Sequence, residues 1–161
     1  MYIRVGYKDL GDIIMNDGIQ YCLVIGLKGI GKSMFLNYLL IRILAKYPHY
    51  SVLYIARNAD VKRILFSNDV AQVIPESVIG GLTPDIVISD SVDIAMAFTS
   101  AQLHVLVASD NQDHYKAFQD ICISEAGQRV TMKPWTYEEL ISMNPISTNF
   151  SEVESKFFLS P

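Results

Sequence analysis

The sequence predicts an α/β fold of three layers, with helices packed on a parallel sheet. Three observations carry that reading. Short apolar, β-branched runs alternate with helical segments, which is the pattern of an α/β domain. The first run, Tyr21 to Ile25, is continuously apolar, as a strand buried on both faces should be. A glycine-rich segment over 26–31 joins that run to a long apolar helix.

Residues 8–16 form a short amphipathic helix in this reading, with Leu10, Ile13 and Ile14 on one side. Tyr21 to Ile25 is the first strand, and Lys32 to Lys46 the helix after the glycine loop. Its polar residues, Ser33, Asn37, Arg42 and Lys46, are few, so the helix is expected to be covered on most sides. Pro48 ends it, because proline cannot continue the ladder. Ser51 to Ile55 is the second strand. Residues 60–67 read as a helix begun at Asp60, and 68–84 as irregular chain carrying Pro75, Gly80, Gly81 and Pro84. Asp85 to Ser89 is the third strand, 92–101 a short helix, Leu103 to Ala108 the fourth strand, 112–125 a helix, and Arg129 to Met132 the fifth strand. Thr136-Tyr137-Glu138-Glu139 has the spacing of a capping box that opens a helix through about Met143. The expected division is a core over 1–143 and a polar, ill-ordered tail over 144–161.

Composition narrows the function classes. The chain has 161 residues, half of them hydrophobic and 19% charged, which suits one domain with a sizeable core. A net charge of −4, a pI near 5.3 and the absence of any basic run argue against direct nucleic-acid binding. Cys22 and Cys122 stand far apart in apolar segments and read as buried thiols of a reducing compartment. His49, His104 and His114 have no metal-ligand spacing. Lys8, Asp9, Asp12 and Asp17 interrupt the N-terminal stretch, which argues against a secretory signal. No apolar run is long enough for a membrane span, so a soluble, intracellular chain with no membrane partner is expected.

Gly26-Leu27-Lys28-Gly29-Ile30-Gly31-Lys32-Ser33 fits the P-loop pattern in full. Phosphate oxygens need many donors aimed at one point. A loop built on Gly26, Gly29 and Gly31, with Lys28 and Ile30 between them, can turn its amides inward without a Cβ in the way. The following helix adds its free amides and the positive end of its dipole. Lys32 supplies an ammonium for the β- and γ-phosphates, and the Ser33 hydroxyl suits a Mg²⁺ ligand position. Such a site also needs an acid at the end of an apolar strand to hold the metal. Asp90 is the candidate, its other reading being the N-cap of the helix over 92–101. Asp85 starts the strand instead. The residue after Asp90 is Ser91, where many hydrolytic relatives carry a water-polarising glutamate. Ser109 or Asn111, after the fourth strand, suits a γ-phosphate sensor or an ordinary helix cap. Trp135 reads first as a packing anchor.

Three blocks resemble the Crinkler and retrotransposon-hot-spot proteins, a family of P-loop NTPases. They are Gly29 to Ser33 followed by Met34-Phe35-Leu36-Asn37-Tyr38-Leu39-Leu40; Val107-Ala108-Ser109-Asp110-Asn111 with Tyr115-Lys116; and Met132-Lys133-Pro134-Trp135-Thr136-Tyr137-Glu138-Glu139-Leu140. The resemblance covers roughly residues 20–141. It implies an AAA+-like, STAND-type fold with strand order 5-1-4-3-2. It also implies ATP or GTP with Mg²⁺, phosphate contacts on Gly29, Gly31, Lys32 and Ser33, and Asp90 as the metal acid. It places such modules in effectors acting in a host cytoplasm or nucleus. The chain departs from the family at Asp110 and Lys133, both common proline positions there, and it stops before the helical lid and its arginine. Without that arginine, or one from a neighbouring subunit, transition-state charge is poorly stabilised; a second copy of the chain or further domains of a longer protein are the partners this reading leaves open.

Two functions follow as expectations. One is an NTPase in which Lys32, Asp90 and Mg²⁺ neutralise charge as water attacks the γ-phosphate. The other is a nucleotide-gated assembly module with little hydrolysis of its own, favoured by Ser91 and the missing lid. A small-molecule kinase ranks below both, because no acceptor-binding motif is visible.

Overall fold

A computed structural model describes residues 4–16, 18–57, 61–92, 97–111, 115–125 and 127–143. The described elements are helices α1 (Val5–Ile14), α2 (Lys32–Lys46), α3 (Lys116–Ser124) and α4 (Tyr137–Met143) and strands β1 (Tyr21–Ile25), β2 (Val52–Arg57), β3 (Val61–Ser67), β4 (Val70–Val73), β5 (Ile86–Asp90), β6 (Leu103–Ala108) and β7 (Gln128–Thr131), with β2 to β6 all falling between α2 and α3. The chain divides into two compact units. One is Val5–Pro134; the other brings Arg4 together with the described residues from Trp135 onward.

Among the described residues, the strands form one mixed sheet of seven, in the order β4-β3-β2-β5-β6-β1-β7. β1 pairs in parallel with β6 and β7, and β5 pairs in parallel with β2 and β6. β3 and β4 are antiparallel additions beyond β2. The wholly parallel sheet expected from the sequence is therefore corrected to a mixed one. The segment 60–67, expected to be helical, is strand β3 from Val61 onward. Residues 68–84, expected to be irregular, hold β4 and a 3-10 helix over Glu76–Gly81. The physical reason is the edge of β2. Its free backbone groups pair with Val61–Ser67, and Asn68 and Asp69, both at positive φ (49° and 62°), turn the chain back into β4.

The core lies on both faces of the sheet. Cys22 and Val24 of β1, Ile86 and Ile88 of β5, and Val105 and Val107 of β6 meet α1 and α2 on one face. Leu23 and Ile25 of β1 with Leu106 of β6 meet Phe118 and Cys122 of α3 on the other. Both cysteines are buried. α2 buries Phe35, Leu36, Leu39 and Ile43 completely. At about 1.5–3 kcal/mol for each such side chain, this stripe fixes the helix against the sheet. The helix is less covered than its sequence suggests, because Met34 and Ile41 face solvent. Arg42 ties α2 to α1 through Asp12 at 2.8 Å. His104 is a core residue: it is fully buried, its ring stacks on Tyr21, and Nε2 lies 2.7 Å from the Phe98 carbonyl oxygen.

The helix expected over 92–101 falls partly on 93–96, outside the described residues, as do residues 112–114 of the helix expected over 112–125. The tail over 144–161 and His114 also lie outside them. In the smaller unit the capping box forms. The Thr136 amide donates to Glu139 Oε2 at 2.9 Å, and the Glu139 amide donates to Thr136 Oγ1 at 3.2 Å. Arg4 donates to both Glu139 carboxylate oxygens at 3.1 Å, and its guanidinium lies 4.4 Å from the centre of the Trp135 ring. Among the described residues, no helix is long and apolar enough to cross a membrane.

Candidate functional site: the glycine loop and the carboxyl edge of the sheet

Three strand ends meet where the chain leaves the sheet. β6 lies between β1 and β5, with Ala108 beside Ile25 and Val107 beside Asp90. The glycine loop follows β1, Asp90 ends β5, and Ser109 follows β6. In open α/β sheets, crevices for ligands form outside the carboxyl ends of the strands.

Local chemistry dictates the loop's course. Gly29 and Gly31 sit at φ 86° and 93°, where a Cβ would be strained. Gly26 has a different reason: a Cβ there would run into the Ile30 side chain and crowd Met132. Ile30 itself is buried and anchors the loop to the core. The loop is pinned at both ends. The Gly26 amide donates to the Ala108 carbonyl at 3.3 Å, and the Tyr7 hydroxyl donates to the Gly31 carbonyl at 2.7 Å.

Gly31 is the N-cap of α2, so no side chain caps the helix, and its first turn holds no acid. The leading amides therefore have no side-chain cap at Gly31, and the positive dipole end opens on the glycine loop, which is the electrostatic condition for an anion. Lys32 folds back over the loop, and its Nζ donates to the carbonyls of Gly26 at 2.9 Å and Leu27 at 2.7 Å. Burial pulls its ammonium below the ordinary lysine range, while Asp90 and Asp110 pull it the other way. Lys28 is exposed at the loop surface.

Across from the loop, the Ser33 hydroxyl donates to Asp90 Oδ2 at 2.6 Å. The Ser91 hydroxyl donates to Asp90 Oδ1 at 3.0 Å. Asp85 stands at the opposite end of β5, where its carboxylate accepts from the Ser51 amide and hydroxyl, both at 2.7 Å. This separates the two acids of the segment: one closes the strand start, the other faces the loop. Ser109 is half-buried directly after β6. Mg²⁺ takes few protein ligands and completes its shell with water and phosphate oxygens. Ser33 and Asp90 supply hard oxygen donors of that kind, and the described residues hold no cluster of three or more His, Cys, Asp or Glu that would suit another metal.

Lys32, Ser33, Asp90 and the three glycines thus come together, with Ser109 at the neighbouring strand end. Sequence reasoning misses Tyr7 and Tyr54. Tyr7 reaches the loop only because α1 packs on α2, where its ring lies 5.5 Å from Phe35 and 6.1 Å from Tyr38. Tyr54 on β2 donates to Asn37 Oδ1 of α2 at 2.9 Å; burial and Asp90 raise its phenol. Neither contact leaves a spacing that a linear reading can detect. No protein-family model matches the chain, and no curated protein matches it.

Proposed function

We infer that the glycine loop is a P-loop, and that the chain binds a Mg²⁺–nucleoside triphosphate and hydrolyses it. One observation carries this reading. The bare N-terminus of α2 presents uncapped amides and Lys32 at the same strand edge as the Ser33–Asp90 pair. An anion site and a hard-oxygen metal site side by side suit a polyphosphate with its cation. The order of the parallel strands, with β1 between β6 and β7, supports the family-level reading as a Crinkler and retrotransposon-hot-spot type of P-loop domain. ATP is favoured over GTP, because the sequence holds no guanine-reading motif.

In this account the loop amides and Lys32 hold the β- and γ-phosphates, Lys32 exchanging its carbonyl partners for phosphate oxygens. Ser33 and Asp90 would hold Mg²⁺, directly and through its water shell. The metal supplies neutralisation of phosphate charge when bound. Ser109 faces the γ-phosphate from the end of β6.

A second reading has its own support. Ser91 stands where a carboxylate would polarise water, which favours a nucleotide-gated module with slow turnover. Steady-state phosphate release at saturating Mg²⁺–ATP decides between them. Continuous release above the uncatalysed background is the expected result; proven binding with no release would leave only the gated module.

A further inference from the structure

Hydrolysis of a triphosphate needs an acceptor for the proton of the attacking water, and the residue after Asp90 does not provide one. Ser91 sits in the left-handed region at φ 57°, with its amide on the Val107 carbonyl at 2.8 Å and its hydroxyl on Asp90 Oδ1 at 3.0 Å. It offers no carboxylate, and its geometry aims it back at the metal acid. Asp90 receives Ser33 on one oxygen and Ser91 on the other. Within Val5–Pro134, Asp85 is committed to Ser51, Asp12 to Arg42 and Glu76 to Arg63.

Asp110 differs from these. It lies two residues past the end of β6, the strand flanked by the loop-bearing β1 on one side and by Asp90's strand on the other. It is exposed, and it accepts no hydrogen bond among the described residues. Its charge reaches Lys32, as does that of Asp90. A carboxylate therefore stands at the same carboxyl edge of the sheet as the glycine loop and Asp90, past the end of the strand between theirs.

We propose that Asp110 is the general base of hydrolysis, taking the place of the missing acid after Asp90. This rests on the reading of the glycine loop as a triphosphate site. The oxygen of a water attacks the γ-phosphorus while the bond from that phosphorus to the β–γ bridging oxygen breaks. The nucleoside diphosphate leaves with the electron pair, and the water's proton passes to the Asp110 carboxylate and then to solvent. The products are a nucleoside diphosphate and inorganic phosphate, with no other reactant.

The test compares the full chain with Asp110→Asn and Asp110→Glu, measuring phosphate release from Mg²⁺–ATP and, separately, affinity for a non-hydrolysable ATP analogue. General-base catalysis contributes about 10²–10⁴-fold. Asp110→Asn should therefore lower kcat at least about 100-fold with affinity for the analogue changed less than about threefold, and Asp110→Glu should recover part of the rate. Asp110→Asn with kcat within about threefold of the parent overturns the proposal. So does a parent chain that binds the analogue but releases no phosphate, an outcome that leaves the triphosphate site standing. Failure of the parent to bind the analogue overturns the site and the proposal together.

Discussion

The Ser33 hydroxyl and the Asp90 carboxylate meet at 2.6 Å, joining the first turn of α2 to the end of β5 across 57 positions of sequence. A short contact between a hydroxyl and an ionised carboxylate is a charge-assisted hydrogen bond. Here it holds two oxygen donors together beside Lys32. Substituting either one should dissociate metal dependence from phosphate affinity. Ser33→Ala and Asp90→Asn are each expected to weaken Mg²⁺–ATP binding about tenfold or more, with binding of metal-free ATP little changed. Titrations with Mg²⁺ and with EDTA measure both quantities. Equal losses in the two would remove this pair from the metal site.

Lys32 is the second test. Its Nζ is held by two loop carbonyls and by no carboxylate within ion-pair distance among the described residues, so an incoming phosphate can recruit it. A charged hydrogen bond contributes about 1.5–3 kcal/mol, so Lys32→Ala should lower triphosphate affinity about 10- to 100-fold. The thermal midpoint should move little. Collapse of the fold would instead mark Lys32 as a structural clamp on the loop.

The loop glycines make a stability prediction. Gly29 and Gly31 are at φ 86° and 93°, whereas Gly80 has no positive φ and no atom within 4 Å of a built Cβ. Gly29→Ala and Gly31→Ala should each cost about 1–2 kcal/mol in urea unfolding, the penalty of a left-handed Cβ. Gly80→Ala should stay within about 0.5 kcal/mol of the parent. Equal effects at all three positions would contradict the loop's conformation.

His104 sets a pH dependence. Burial lowers its pKa, and the Phe98 carbonyl offsets only part of that effect. The unfolded chain takes up this proton near pH 6.5, as an ordinary histidine does, while the folded chain takes it up only at lower pH. Below about pH 6.5 the unfolded state therefore binds more protons, and stability falls as pH falls through that window; above it His104 contributes no slope. Urea midpoints at pH 7.5 and 5.5 should diverge for the parent chain. The difference should shrink in His104→Gln, which keeps a side-chain N–H. An unchanged pH difference would show that His104 is not the group responsible.

Much of the candidate site's arrangement was legible because it is local. The spacing of Gly26, Gly31, Lys32 and Ser33, set between a five-residue apolar run and a long helix, is a property of eight consecutive residues and their flanks. Asp90 was readable as the polar end of an apolar strand, although Asp85 at the same strand's start needed the Ser51 contacts to tell them apart. The hairpin of β3 and β4 was not legible. Val61–Ser67 packs apolar residues on both faces, with Phe66 toward the α2 side and Leu65 toward the other, so no polar alternation marks it as a strand. Asp60 and the Lys62-Arg63 pair then imitate a helix start with a solvated face. Asn68-Asp69 was the usable turn signal, because those residue types tolerate positive φ better than most. Tyr7 was invisible for a third reason: its role depends on where α1 lands.

Isothermal titration of the chain with ATP, with and without Mg²⁺, reads phosphate binding at the start of α2. One site per chain is expected, with binding that strengthens when Mg²⁺ is present and weakens from tri- to di- to monophosphate. No heat at millimolar triphosphate, or equal affinity for ATP and AMP, would contradict a phosphate cradle at the start of α2.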